Sequence, residues 1–253
     1  MIQEIEFKCN YSNTILRGRF VRPDNIPSHS PLVIMLTGDG PKGSKSLSWV
    51  NMPPKLLEHG ISSFLFDFAG LGYSDGERRK LTLTVGIENF KTAYNIIKNQ
   101  EWVDKNRIGI FASSFGANVF LLQHEIANEV KLIGLKSPAC FLPDAYLKEF
   151  GEELFEQWME KGFVEGIGYE YEVLVDSFRY NTYESALKIK TPCLVTHGSK
   201  DEIVPLIQSK YLSRCLQGQK HLEIFENVGH GYSEEGAWDR MATLFVDWFK
   251  NNL

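Results

Sequence analysis

The sequence has 253 residues, of which 43% are hydrophobic, and a formal net charge of −5. This length and apolar content are sufficient for one large domain with a buried core. The acidic balance argues against nucleic acid or an anionic membrane as the main partner, because both are bound by clustered positive charge.

The chain start, MIQEIEFKCN, has no basic segment followed by an apolar run, so no signal peptide is predicted. No uninterrupted apolar run reaches the roughly 18 residues that span a bilayer. The four cysteines form no C-x-x-C pair, a pattern typical of buried free thiols in a reducing compartment. They are Cys9, Cys140, Cys193 and Cys215. We therefore predict a cytoplasmic protein that does not enter the membrane.

Two strands are predicted at the start, over residues 2–9 and 14–22, followed by a loop over residues 23–31. Short apolar runs then alternate with helical stretches such as residues 82–100. Continuous apolar runs are typical of strands that are buried on both faces of a parallel sheet. These predicted strands are residues 32–36, 62–68, 107–111, 131–135, 192–197 and 221–225. The alternation predicts an α/β fold with a mostly parallel, twisted sheet and helices on both faces.

Residues 140–187 interrupt this alternation with a long, acidic, helix-prone stretch rich in aromatic residues. A connection of this length usually has a function of its own, such as covering an active site. We predict a single domain over residues 1–253, with residues 140–187 as an inserted lid. The lid aromatics indicate an apolar or aromatic ligand; alternatively, they only pack the lid onto the body.

Two serines stand where a predicted strand meets a predicted helix, within FASSFGA at residues 111–117. A nucleophile elbow needs small residues two positions before and after the nucleophile, because its strained turn brings backbone segments very close. Ser114 has Ala112 and Gly116 at these positions, whereas Ser113 has phenylalanine at both. The sequence predicts Ser114 as a nucleophile; the alternative is that the serines only cap the helix.

A serine hydroxyl is a weak nucleophile at neutral pH and needs an adjacent base. In a fold with such an elbow, an acid and then a histidine follow the serine, each after a strand. Asp201 and His230 follow the last two predicted strands in this order. Glu202 is the alternative acid, and each of the three positions also has a purely structural interpretation. The other histidines, His197 among them, lack this context and are interpreted as structural.

The loop after the third predicted strand reads GDGPKG over residues 38–43, which matches the glycine pattern of a dinucleotide site. Asp67 ends the next strand, near where that pattern has an acidic residue. However, two strands precede the loop, Pro41 removes a backbone donor, and the serine, acid and histidine are left unexplained. A Tyr94 and Lys98 pair, spaced as in short-chain dehydrogenases, lies too early in the chain.

In a hydrolase, the same glycine loop supplies one backbone N–H of an oxyanion hole, and the residue after the nucleophile supplies the other. This predicts the amides of Asp39 and Phe115 as oxyanion donors. Gly38 and Gly40 are the neighbouring alternatives to Asp39.

The chain contains the motifs TGDG, DFAGLGYSDG, FASSFGA, HGSKDEIVP and NVGHGY. With these motifs it resembles the α/β-hydrolase superfamily over nearly its full length. Ala69 stands where arginine is frequent, and Thr37 where many members have histidine; neither position belongs to the predicted triad. The two-strand start, the size and the insertion are most similar to bacterial cinnamoyl/feruloyl-type carboxylesterases and to acyl thioesterases of the acyl-transferase type.

The resemblance implies a Ser114–His230–Asp201 triad that hydrolyses a small-molecule acyl ester through an acyl-enzyme, with no metal or organic cofactor. A thioesterase or acyltransferase is the neighbouring alternative. A non-catalytic, ligand-binding hydrolase fold and a nicotinamide-dependent oxidoreductase are the alternatives from other classes. The sequence leaves the oligomeric state open.

Overall fold

A computed structural model describes residues 1–25 and 29–253 of the chain. Its strands are Ile2–Cys9 (β1), Thr14–Val21 (β2), Ser30–Leu36 (β3), Ser62–Phe66 (β4), Val103–Ser113 (β5), Leu132–Lys136 (β6), Cys193–Gly198 (β7) and Lys220–Phe225 (β8). Its α-helices are Leu47–Leu57 (α1), Leu83–Lys98 (α2), Ser114–Leu121 (α3), His124–Glu129 (α4), Leu142–Lys161 (α5), Tyr171–Ser177 (α6), Thr182–Ala186 (α7), Leu206–Cys215 (α8) and Ala237–Asn252 (α9). The loop predicted over residues 23–31 includes residues 26–28, which lie outside the described residues.

The strands form one sheet in the order β1-β2-β4-β3-β5-β6-β7-β8. β2 is antiparallel to β1 and to β4, and all other neighbouring strands are parallel. The prediction of a mostly parallel α/β sheet is confirmed. Because parallel strands end at the same edge, the loops after β3, β5, β7 and β8 all leave the sheet on one side.

Both faces of the sheet are covered, as β3 illustrates. Leu32, Ile34 and Leu36 belong to one apolar core, and Val33 and Met35 belong to a second core on the opposite face. Helices α1 and α9 contribute to the second core, and α2 and α3 contribute to the first. Each fully buried aliphatic side chain of this kind stabilises the fold by about 1.5–3 kcal/mol. The central strands are therefore rigid supports for the loops at their ends.

The strand bounds differ most from prediction at β5, which begins at Val103 rather than at residue 107. Residues 104–107 are polar, so the apolar pattern does not reveal them. Val103 nevertheless pairs with Ser30, ahead of a shift in register to Leu32 and Ile108.

The cysteines differ from the prediction of buried thiols in one respect: Cys215 is only partly buried, while the other three are buried.

The segment between β6 and β7 contains α5, α6 and α7, and α5 is interrupted at Gly151, where φ is 79° and ψ is 163°. We call residues 140–187 the inserted segment. Two of its aromatic side chains, Trp158 and Tyr169, are buried in the larger core, and the Trp158 indole N–H donates to the Tyr169 carbonyl oxygen at 2.9 Å. Aromatic side chains of the segment thus belong to the larger core of the protein.

Candidate active site

Ser114 stands at the point where β5 passes directly into α3, and its φ is 49°. A positive φ is uncommon for a residue with a side chain and indicates a backbone held under strain by its surroundings. The preceding residue, Ser113, has an ordinary extended backbone, with φ of −126°. The strained position in the pair is therefore Ser114, whose side chain is largely buried.

The close packing around this turn explains the small residues that flank it. A Cβ atom added to Gly116 would lie 2.3 Å from the Thr37 carbonyl oxygen and 2.9 Å from the Leu36 carbonyl oxygen. Ala112 is completely buried. A larger residue at position 116 would push α3 away from β3, so the elbow depends on glycine here.

Asp201 and His230 meet beyond the ends of β7 and β8. The Nδ1 atom of His230 lies 2.7 Å from Oδ2 of Asp201, and the carboxyl group is fully buried. A carboxylate only accepts hydrogen bonds, so Nδ1 carries the proton and Nε2 is left as a lone-pair acceptor. The pair is thus arranged for His230 to act as a base.

Two backbone amides and a second histidine hold the Asp201 carboxylate. Oδ1 accepts from the amides of Ile203 and Val204 at 2.9 and 2.7 Å. Oδ2 lies 3.2 Å from Nε2 of His197. Burial opposes ionisation, but the hydrogen bonds from His197 and His230 outweigh it and hold the pKa of Asp201 well below its usual range. Asp201 is therefore a carboxylate throughout the neutral range.

His197, which the sequence analysis interprets as structural, is completely buried in contact with Asp201. Its Nε2 also lies 3.1 Å from the Val204 carbonyl oxygen, and its Nδ1 lies 2.7 Å from the Ser209 hydroxyl. Since both neighbours of Nε2 are acceptors, Nε2 carries the proton. The signal in the sequence was its place in HGSKD, four residues before the acid at the end of a buried strand.

Glu202, the alternative acid, binds the backbone of the histidine loop instead of the imidazole. Its Oε2 accepts from the His230 amide at 3.1 Å, and Glu234 accepts from the Gly229 amide at 2.9 Å. These two bonds fix the path of the loop. Glu202 thus lies beside the histidine, while Asp201 contacts the ring.

A buried lysine supports the other side of this loop. Lys136 ends β6 and donates to the His230 carbonyl oxygen at 3.1 Å, with its ammonium 5.0 Å from the centroid of the Tyr232 ring. Burial lowers the pKa of Lys136 to about 8, against the opposing effect of Asp201. Because Lys136 pairs in register with Ser113, it links the histidine loop to the strand that leads into Ser114. A lysine that ends an apolar run was the only sequence signal for it.

The glycine loop after β3 lies beside the elbow. A Cβ atom on Gly38 would be 3.3 Å from Cβ and 3.8 Å from Oγ of Ser114. Within residues 1–25 and 29–253, the amides of Asp39 and Phe115 donate to no acceptor. The glycine loop and the start of α3 thus lie close to Ser114, and the assignment of the Asp39 and Phe115 amides as oxyanion donors stays a prediction.

The residues that suggest a dinucleotide site have other roles in the structure. The Asp67 carboxylate accepts from the amide and the hydroxyl of Ser44 and from the Tyr73 amide, and burial raises the pKa of Asp67 despite these bonds. Tyr94 and Lys98 both donate to Glu129 at 3.0 Å. These groups stabilise a turn and a helix surface.

Over the described residues, no group of three or more His, Cys, Asp or Glu side chains is placed to hold a metal ion. None of the described helices is both long and apolar enough to cross a membrane.

Comparison with known proteins gives the context of this site. An uncharacterized 31.7 kDa protein of Escherichia coli, from the traX-finO intergenic region, is 26% identical over 236 residues, covering 78% of this chain and 82% of that protein. The acylamino-acid-releasing enzyme of Rattus norvegicus is 24% identical over 266 residues, covering 96% of this chain and 34% of the enzyme.

Among solved structures, Est1E of Butyrivibrio proteoclasticus with bound ferulic acid is similar, with a TM-score of 0.83 at 21% identity, covering 98% of this chain and 96% of that one. This likeness shows the fold, and the predicted resemblance to α/β-hydrolases is confirmed. Residues 73–253, which include Ser114, Asp201 and His230, match the prolyl oligopeptidase family. The chain is therefore a member of the prolyl oligopeptidase family with an α/β-hydrolase fold.

Proposed function

We propose that the protein is a serine hydrolase that cleaves carboxylic esters of small molecules through an acyl-enzyme on Ser114. The observation that carries the proposal is the hydrogen-bonded Asp201–His230 pair, at the same edge of the sheet as a serine with a strained backbone. Strain of this kind concentrates at functional sites, and a serine, a histidine and a buried acid form the minimal set for acyl transfer.

In the proposed reaction, Nε2 of His230 takes the Ser114 proton as Oγ bonds to the acyl carbon. The carbonyl π-electron pair moves to oxygen, and the amides of Asp39 and Phe115 stabilise this oxyanion. His230 then protonates the leaving alcohol as the ester C–O bond breaks. In the second half, His230 activates water, which releases the acid and restores Ser114. Asp201 holds Nδ1 and stabilises the imidazolium, and the chemistry needs no metal or organic cofactor.

We further propose that the whole chain acts as one domain, and that the inserted segment is a lid over the site. Its position between β6 and β7 supports this, since the segment follows the strand next to β5. We also propose that the substrate is a small molecule and that the protein is cytoplasmic.

The test is covalent labelling with a fluorophosphonate probe followed by peptide mapping. We expect the label on Ser114, its loss in Ser114→Ala and its retention in Ser113→Ala, the matched control one residue away. Folded protein that takes no label would contradict the proposal and favour a ligand-binding fold without catalysis. Saturable NADH binding by such protein would favour the oxidoreductase. A series of p-nitrophenyl esters then measures the acyl preference, and acyl-thioesters test the thioesterase alternative.

Amide hydrolysis is the second candidate, and the family match favours it. The family is named for an oligopeptidase, and the relative from Rattus norvegicus is named for the release of acylamino acids. Comparing kcat/KM for N-acetyl-alanine p-nitroanilide and for p-nitrophenyl acetate separates the two. We expect the ester to be preferred; an equal or greater value for the anilide would assign the protein to amide hydrolysis.

A further inference from the structure

We infer that Arg78 and Tyr169 are positioning residues that hold the Asp39 loop in the shape an oxyanion hole needs. The inserted segment thereby becomes part of the catalytic geometry rather than only a cover. The inference rests on the proposed function, because it takes the Asp39 amide as an oxyanion donor.

The three residues form a closed hydrogen-bond network. Tyr169 Oη lies 2.7 Å from Oδ2 of Asp39, and Nη2 of Arg78 donates to Tyr169 Oη at 2.5 Å. Nε of Arg78 donates to the Asp39 carbonyl oxygen at 2.8 Å. Since the single Tyr169 hydroxyl proton goes to the carboxylate, the hydroxyl oxygen is free to accept from Arg78. The Arg78 guanidinium also lies 4.3 Å from the centroid of the Tyr169 ring.

The glycine loop needs such support because its own residues supply little. Asp39 lies between Gly38 and Gly40, and glycine restricts backbone rotation least. A Cβ atom on Gly40 would meet nothing within 4 Å, so side-chain packing does not fix that position, and its carbonyl oxygen is held only by the Gly43 amide at 2.9 Å among the described residues. Asp39 carries the only side chain in the triplet, and both its carboxylate and its carbonyl are held by the network. Holding both groups fixes the Asp39 Cα atom and its substituents, and therefore the position of the backbone nitrogen that carries the N–H.

The network also keeps the Asp39 charge in place. A carboxylate that turned toward the acyl oxygen would repel the negative charge that develops there. Its bond to Tyr169 anchors it to the inserted segment, and the Arg78 cation is next to that bond.

Tyr169 reaches the loop from a firmly attached part of the inserted segment. It is 1% exposed, and the next residue, Glu170, donates its amide to the Arg79 carbonyl oxygen at 2.8 Å and pairs with the Arg79 guanidinium at 3.3 Å. Movement of the segment away from the body would break these bonds together and release Asp39. The hole would then be ordered only while the segment is in place.

The test measures kcat and KM separately, together with affinity for an oxyanion-forming inhibitor. Tyr169→Phe removes only the hydroxyl, and Arg78→Lys keeps the charge but cannot reach both acceptors. Tyr171→Phe is the matched control, because in the described part of the chain the Tyr171 hydroxyl makes no hydrogen bond. The inhibitor is a trifluoromethyl ketone, to which Ser114 adds to form a hemiketal oxyanion in the hole.

Outright loss of one oxyanion donor costs about 100-fold or more in kcat, so a donor left in place but poorly held is expected to cost on the order of tenfold. We expect this loss in kcat for Tyr169→Phe and Arg78→Lys, a similar loss of ketone affinity, and little change in KM. Tyr171→Phe should match the wild type. An effect of Tyr169→Phe on KM alone would indicate that Tyr169 contacts the substrate. Variants with the same kcat and ketone affinity as Tyr171→Phe would show that Arg78 and Tyr169 do not position the loop. Either result overturns the inference.

Two measurements keep the outcome interpretable. The midpoint of thermal unfolding shows whether each variant is folded. If Tyr169→Phe is not folded, the kinetics of Arg78→Lys test the inference. Fluorophosphonate labelling of the wild type tests the proposed function separately: an unlabelled wild type defeats the hydrolase itself, whereas an active wild type with unaffected variants defeats only the role of Arg78 and Tyr169.

Discussion

Replacing Lys136 with methionine is expected to change the pH dependence of the protein's stability. The Lys136 side chain is 6% exposed, and its contacts are the His230 carbonyl oxygen and the face of the Tyr232 ring. Neither contact restores the hydration that an ammonium group loses on burial. Methionine has a similar length and fits an apolar environment, so it removes the charge without leaving a large cavity.

The magnitude follows from the pKa of Lys136, which burial lowers from 10.5 to about 8. Each tenfold change in proton affinity corresponds to about 1.4 kcal/mol, so keeping Lys136 charged in the folded state costs about 3 kcal/mol at neutral pH. Between pH 8 and 10.5 the unfolded chain holds this proton while the folded chain does not. The wild type's free energy of unfolding therefore gains about 3 kcal/mol from Lys136 as the pH rises through this window. The methionine variant lacks this gain.

Urea unfolding at pH 7 and at pH 10 measures the effect as the difference between variant and wild type. We expect that difference to move by about 2.5 kcal/mol in favour of the wild type at the higher pH, because pH 10 lies just inside the upper end of this window. The control is Lys131→Met, at an exposed lysine just before β6, which should alter the free energy of unfolding by no more than about 0.5 kcal/mol at either pH. If the difference for Lys136→Met is the same at both pH values, burial does not control this lysine and the reasoning is wrong.

Further predictions concern the elbow and the acid. Gly116→Ala places a Cβ atom 2.3 Å from the Thr37 carbonyl oxygen. It should lower stability by about 1–3 kcal/mol and reduce fluorophosphonate labelling, whereas Gly166→Ala, which meets only ordinary contacts, should do neither. His197→Leu leaves buried polar partners unpaired and should cost about 1–3 kcal/mol at pH 7 in urea unfolding. The low pKa of Asp201 contributes stability above about pH 4 that is lost as pH falls, so this deficit should shrink at pH 3; a constant deficit would refute the link.

The sequence was sufficient for the parts that local pattern encodes. Continuous apolar runs predict the central strands because both faces of the sheet are buried, and β3 shows this residue by residue. The choice of Ser114 over Ser113 rested on flanking size, and the contacts of Gly116 supply the physical reason. The start of β5 was missed, because the polar residues 104–107, which lie at the shift in register between Val103 and Ile108, leave no apolar pattern.

By itself, therefore, the sequence determined the α/β sheet and placed a serine, an acid and a histidine after strands of that sheet. Only the tertiary structure decided which groups touch. It placed Asp201 on the His230 ring and Glu202 on the His230 backbone, brought His197 to Asp201, and buried Lys136 beneath the loop. It also joined Asp39 to Tyr169 across 130 residues of chain. The His197 contact is local, but the contacts of His230, Lys136 and Asp39 join residues far apart in the chain. These distant contacts depend on how helices and loops pack on the sheet, and no spacing or periodicity in the chain records that packing.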